Sequence, residues 1–369
     1  MNGMKNKIGI VTFHRAYNYG SVLQAYALNY YLNKMGMQAE TIDFWTERQE
    51  KMYGLFEKKM SFMGIIRNFQ AVLEYPKLKK KKRRFEKFIE ENILLGHKRY
   101  KTLEELKHEK LDYDYYICGG DQIWNPNCTD FDMTYLLDFV EDKKRCLSFA
   151  PSIGIQELNE EYITFFDKVK EFKLLSVREA TGKRMLQDLI GRNVEVISDP
   201  VLLLKKEEWM KFVDCSFPMK NYIFCYFIGD VEGMRSYVKK LGKTGKKIIV
   251  IQKSIRDVLY KNKKMYDAGP EEFLNLLYHA ESVVTDSYHA TIFSTIFQKK
   301  FWTFLKPESV INSNSRIIDF SKKFGLSDRI VYYANPNIVE YEKEVDFKMA
   351  EEQLEVERKK SEEYLKMMF

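Results

Sequence analysis

The feature that most constrains this chain is an alternation of short β-branched apolar runs with segments of helical period. Residues 8–13 (IGIVTF) are too few for a helix and end in a polar loop, so they read as a strand buried on both faces. After the loop HRAYNYGS, residues 22–35 place Val22, Leu23, Tyr26, Ala27 and Tyr30 at helical spacing, and Gly36 closes that helix as its C′ residue. Residues 38–44 (QAETIDF) form the next strand. A strand–loop–helix–strand unit of this kind builds parallel sheets.

The same grammar recurs. Strands are predicted at residues 115–118, 145–150, 174–177 and 194–198, and, after Asp199-Pro200, at 222–228, 247–251, 282–285 and 300–304. Helices are expected over 232–241, 270–280, 289–297 and 315–324. The fold class is therefore α/β, with two doubly wound Rossmann-like domains at 1–204 and 205–340 and a docked C-terminal helix within 341–369. Residues 45–111 read as a helical insertion in the first domain. Its run KKKKRR at 79–84 invites attraction to an acidic lipid surface or a phosphate-rich partner, at about 1 kcal/mol per charge. The alternative is a solvated helix face balanced by the glutamates that follow it.

Composition narrows the class. The 369 residues carry 60 Lys+Arg against 53 Asp+Glu, a net charge of +7, with 45% hydrophobic and 31% charged residues, as in folded proteins. No stretch approaches the ~18–20 apolar residues of a membrane span, and the first residues lack a secretory signal. A secreted, spanning or fibrous protein is excluded, and a cytoplasmic one, in peripheral contact with the membrane at most, is expected. Five cysteines without CxxC spacing support neither a disulfide framework nor a zinc cluster, and Cys118, Cys146 and Cys225 read as core. The five histidines show no HxxxH or HExxH pattern, so no metal is predicted. A modest charge and one local basic run argue against nucleic acid.

In open parallel sheets ligands collect beyond the carboxyl ends of the strands, and three loops there have unusual composition. In the first, His14, Arg15 and Asn18 supply donors, and Gly20 and Ser21 open a helix whose N–H groups can face an anion. The alternative is a polar loop with a helix cap. In the second, Gly119-Gly120 permits positive φ or close approach, Asp121 and Gln122 offer polar contacts, and Trp124 offers a face for a sugar ring. The alternative is a tight turn with Trp124 in the core. In the third, a strand ends in Thr285-Asp286-Ser287 and a helix begins at once, capped by Ser287 or Asp286, with His289 in its first turn. Histidine can act there as donor or acid near neutral pH, which makes His289 the best catalytic candidate; the alternative is a buried, satisfied histidine. Arg178, just past a strand, could clamp a carboxylate or phosphate, or form a structural salt bridge with a glutamate. Asp199-Pro200 reads as a hinge or turn more than as an acid.

The segments KIGIVTFHRAYNYGSVLQAYAL, YDYYICGGDQIWNP, LSFAPSIG, LLSVREATG, VEVISDPVLLL and VVTDSYHATIFSTIFQKKF, in this order, resemble the polysaccharide pyruvyl transferase family. The resemblance implies a GT-B-like architecture with the active site in the interdomain cleft. It also implies transfer of pyruvate from phosphoenolpyruvate to a sugar of a bacterial capsule, exopolysaccharide or lipid-linked precursor, usually as a ketal. Phosphoenolpyruvate is then a substrate, and no cofactor is called for. Within the resemblance His289 and Arg178 bind the donor, assisted by Ser287, Tyr288 and Lys306. His14, Arg15, Asn18, Gly20, Gly119, Gly120, Asp121, Gln122 and Trp124 face the acceptor. The chain departs from the pattern at Ser287, where active members tend to have arginine. Either Lys253, Arg256, Lys306 or Arg316 replaces that cation, or the donor differs. The readings left open beside transfer of pyruvate are a nucleotide-sugar glycosyltransferase and a non-catalytic glycan-binding or scaffold member.

Overall fold

The computed structural model describes residues 6–54, 75–155, 157, 160–229, 232–251, 263–265, 267–306, 314–332, 340 and 342–369. Lys253 and Arg256 lie outside them. The chain divides into two units, one of residues 1–53, 87–204 and 355–369, the other of residues 54–86 and 205–354.

In the first unit β1 (Lys7–Val11), β2 (Gln38–Phe44), β3 (Leu95–Tyr100), β4 (Tyr115–Gly119) and β5 (Cys146–Phe149) form an all-parallel sheet in the order β3-β2-β1-β4-β5. A single bridge between Leu147 and Leu174 leads on to the parallel pair β6 (Ser176–Val177) and β7 (Glu195–Val196). The helix Tyr19–Lys34 is buried on every side over its first turns, which is why it reads as apolar almost all round. Asn18 caps its start by accepting from the Gly20 N–H, and Gly36, at φ +92°, supplies the left-handed turn at its end. Residues 45–111 are not one insertion. β3 lies among them and is held at the sheet edge by Asn29, whose side chain bonds both the carbonyl and the N–H of Leu94.

The second unit holds β8 (Tyr222–Tyr226), β9 (Lys247–Ile251), β10 (Lys263–Met265), β11 (Ser282–Thr285), β12 (Lys300–Phe304) and β13 (Ile330–Val331), again all parallel, in the order β10-β9-β8-β11-β12-β13. Numbered from its own first strand this is the 3-2-1-4-5-6 order of a Rossmann sheet. The order reverses between β8 and β11 here, and between β1 and β4 in the first unit.

The C-terminal helix Lys348–Met368 fastens to the first unit by its later turns: Ser198 donates to Glu357, Tyr364 to the Ser148 carbonyl, and Lys173 to that of Met368. No helix among the described residues is long and apolar enough to cross a membrane. In the basic helix Tyr75–Asn92, Lys80 and Arg84 pair with Asp267, and Arg84 also with Glu272, while Lys79 and Arg83, one row away, stay exposed.

Candidate functional site

Each sheet carries an aspartate across the crevice where its strand order reverses. In the first unit Asp121, two residues past β4 at φ +52°, accepts from the Ser21 hydroxyl of the first helix and from the Gln122 N–H. In the second, Asp286, one residue past β11, accepts from the N–H groups of Ile228 (2.6 Å) and Gly229 (2.7 Å), which follow β8. These carboxylates tie together loops that the sequence shows only as separate polar stretches.

Beyond β1 and β2, His14 and Arg15 both turn onto Asp43. The His14 ring contacts the Thr12 carbonyl through Nδ1 and Asp43 through Nε2, each at 3.1 Å, and is fully buried. Arg15 reaches Asp43 through Nε and through a second nitrogen at 2.7 Å, and Arg99 of β3 adds a contact at 3.0 Å. Burial alone would raise the Asp43 carboxyl, but the bonds from His14 and Arg15 outweigh it and hold the carboxyl well below the usual range. The expectation that His14 faces an acceptor is corrected: both its ring nitrogens are engaged inside the protein.

Trp124 is corrected too. It is fully buried, its indole N–H donates to the Tyr135 carbonyl at 2.9 Å, and its ring meets Phe166 edge-on, so it offers no face to a sugar. The paired glycines serve close packing. A Cβ on Gly119 would stand 2.5 Å from the Phe149 carbonyl, and one on Gly120, at φ +72°, would stand 1.5 Å from Gln24 Oε1. Gln122 Oε1 accepts from Asn125, and Asn18 and Gly20 form the helix cap.

Arg178 pairs with Asp199 at 2.9 Å, both side chains all but enclosed. Beside them Glu179 Oε1 accepts from the Ser152 hydroxyl and from the N–H groups of Ile153 and Gly154. Asp199 also caps the turn Pro200–Leu203. The partner of Arg178 is thus an aspartate 21 positions later rather than a glutamate.

In the second unit Ser287 is the N-cap of the helix Tyr288–Ile296, its hydroxyl accepting from the Ala290 N–H at 3.3 Å. Its own N–H is held by the Thr285 hydroxyl. His289 is buried in the first turn, its ring edge-on to Tyr288. The Arg316 guanidinium stands 5.4 Å from the centre of the Tyr288 ring, so among the described cations proposed to replace the missing arginine it is the one brought to this helix start. Lys306 is half-buried, with its N–H and carbonyl both tied to Asn314. Arg178 belongs to the first unit and His289 to the second.

Sequence reading missed Asp43 and Glu179 as organising carboxylates. The signal available was indirect: a carboxylate between two apolar residues at the end of a strand (Ile42-Asp43-Phe44), and a glutamate directly after a candidate arginine. Among the described residues no group of three His, Cys, Asp or Glu side chains is arranged to hold a metal ion.

The sequence model of the polysaccharide pyruvyl transferase family matches residues 18–305 of this chain. The chain belongs to that family. A polysaccharide pyruvyl transferase is an enzyme of the transferase class. No curated protein matches the sequence significantly. Among solved structures, the UDP-GlcNAc 2-epimerase of Methanocaldococcus jannaschii, in complex with UDP-GlcNAc and UDP, is similar over 96% of this chain and 93% of its own, at 14% identity and a TM-score of 0.51. S. aureus MnaA, solved with UDP, is similar over 89% of this chain and 84% of its own, at 12% identity and a TM-score of 0.52. At such identities the likeness is one of fold. This pyruvyl transferase has the GT-B fold, built from two Rossmann-like units.

Proposed function

We propose that this polysaccharide pyruvyl transferase takes its pyruvyl group from phosphoenolpyruvate and attaches it as a cyclic ketal to a sugar of a cell-surface polysaccharide or its lipid-linked precursor. The observation that carries the reading is His289, a buried imidazole in the first turn of a helix that begins where the second sheet reverses its strand order. The donor is an anion, and a helix start offers N–H groups and the positive end of a dipole.

Ketal formation sets the tasks. C3 of the donor takes a proton and becomes a methyl group, one acceptor oxygen bonds to C2, phosphate leaves, and a second acceptor oxygen bonds to C2. The two hydroxyls release two protons, one replacing that delivered to C3 and one leaving with phosphate. In this reading His289 delivers the proton or holds the departing phosphate, and Arg316 supplies the cation that Ser287 does not. Ser287 acts as the cap that fixes the helix start, with the Tyr288 ring against the imidazole, and Lys306 acts as a further donor-binding cation. Arg178 acts as a positioning residue through Asp199. Arg15, Asn18, Gly20, Asp121 and Gln122 border the acceptor. A lipid-linked acceptor would bring the enzyme to a membrane, where Lys79 and Arg83 could meet acidic headgroups.

The test incubates the enzyme with phosphoenolpyruvate labelled in its methylene carbon and a panel of lipid-linked sugars. One phosphate released per label incorporated supports the reading. Thermal shift decides between donors, because a ligand at 100 times its Kd adds about 2.7 kcal/mol. Stabilisation by UDP-GlcNAc and none by phosphoenolpyruvate would replace this function with nucleotide-sugar transfer.

A further inference from the structure

The stacking role removed from Trp124 has a better holder nearby. Tyr17 follows β1, and Trp45 and Tyr53 follow β2, so all three lie beyond the carboxyl end of the first sheet. Tyr53 lies nearly parallel to Trp45 (centroids 5.5 Å apart, planes at 22°) and covers it. Tyr17 stands almost perpendicular to Tyr53, at 5.8 Å and 81°. Trp45 is buried, whereas Tyr17 and Tyr53 are both partly exposed, which leaves two rings as the walls of a corner.

The corner is built rather than loose. Thr46 and Gln49 form a reciprocal capping box at the start of the short helix Glu47–Met52, and Gln49 also donates to the Tyr135 hydroxyl at 3.0 Å. Tyr53 ends that helix, and its hydroxyl donates to Asp130 at 3.2 Å. Asp130 is itself only partly buried. Fixed aromatic rings beside an accessible carboxylate are what a pyranose requires. Its C–H face lies against the electron-rich ring, its hydroxyls donate to the carboxylate, and rings held in advance cost little ordering on binding.

We propose that Tyr17 and Tyr53, backed by Trp45, form the platform on which a sugar ring of the acceptor glycan stacks, with Asp130 accepting from its hydroxyls. This rests on the reading above only in taking the acceptor to be a saccharide. The occupant is a pyranose of the glycan, whose ring C–H face suits the two tyrosines and whose hydroxyls suit the Asp130 carboxylate.

Two experiments separate this inference from the choice of donor. Saturation-transfer NMR with the methyl glycosides of glucose, galactose, mannose and N-acetylmannosamine needs no turnover. At least one should bind the wild type through its ring C–H protons and lose that signal in Tyr17→Ala/Tyr53→Ala. In the transfer assay, Tyr17→Ala and Tyr53→Ala should each raise the acceptor KM about tenfold, the size of one lost stack, and leave the KM for phosphoenolpyruvate unchanged. The unchanged KM for phosphoenolpyruvate in these variants shows that ring loss rather than misfolding is measured. An unchanged acceptor KM in the double variant overturns the proposal, as does saturation transfer that survives it or is absent from wild type for all four glycosides. Glycoside binding that depends on both tyrosines, with no transfer from phosphoenolpyruvate, would remove the donor reading and leave this one standing.

Discussion

Replacing Gly120 by alanine tests whether the paired glycines serve the fold or a ligand. The new Cβ would occupy a point 1.5 Å from Gln24 Oε1 and 2.5 Å from its Cδ, so the Gln24 side chain must leave. Gln24 is fully buried and donates to the Thr12 hydroxyl at 2.8 Å and the Ser21 carbonyl at 2.9 Å. Losing both bonds costs about 2 kcal/mol. Holding alanine at φ +72° adds about 1–2 kcal/mol, for a total of about 3–4 kcal/mol. Gln24→Ala alone should cost about 2 kcal/mol for the same two bonds, and adding Gly120→Ala should then cost only the backbone strain. The pair should therefore fall about 2 kcal/mol short of additivity, well outside the ~0.3–0.5 kcal/mol scatter of independent sites. Native-state hydrogen exchange at the amides of β1 and β4 reads these energies in the first sheet itself. Additive losses, or a Gly120→Ala cost below about 1 kcal/mol, would refute the packing argument and return Gly120 to the acceptor site.

Further consequences can be checked directly. Asp43→Asn leaves Arg15 and His14 facing no charge and should cost about 3–5 kcal/mol, read by urea unfolding. Because the folded carboxyl titrates below its ordinary value near 3.8, its stabilisation is full above that value and lost as pH falls. The gap between wild type and variant should thus narrow in acid; a gap constant down to about pH 3 would contradict the pairing. Burial pushes the thiols of Cys118, Cys146 (to about 12) and Cys225 up, whereas Cys215 is exposed. A thiol reagent at pH 8 should modify Cys215 quickly and leave those three untouched until unfolding, and rapid labelling of any of them would contradict the packing. Lys79→Gln/Arg83→Gln should weaken binding to phosphatidylglycerol vesicles about 30-fold, and unchanged binding ends the membrane reading.

How far the sequence could be read depends on how local each cause is. β1, β9, β11 and β12 are short apolar runs in sheets covered on both faces, so their burial is written in consecutive residues. β3 (LGHKRY) is mostly polar, with Tyr100 its one buried residue, and it exists because Asn29, 65 positions before Leu94, holds that edge. No local pattern announces it. The candidate site divides in the same way. The strand–Ser–helix start that caps His289 is contiguous, and Ser287 caps it as the spacing predicts. Asp43 instead gathers partners 28, 29 and 56 positions away, and Arg178 finds Asp199 across the β6–β7 pair. Trp124 misled because its loop is polar by composition, while the groups that enclose it, Tyr135 and Phe166, come from later segments.

The most direct test of the account is single-turnover transfer of labelled pyruvate from phosphoenolpyruvate by wild type and by His289→Gln, compared at equal folded fraction. Wild type should place the label on the sugar with equimolar phosphate release, and His289→Gln should lose about 100-fold or more in rate, the usual share of a positioned acid. Transfer at the wild-type rate by His289→Gln would contradict the role given to this helix start. Label that never reaches a sugar with any acceptor would contradict the reaction itself.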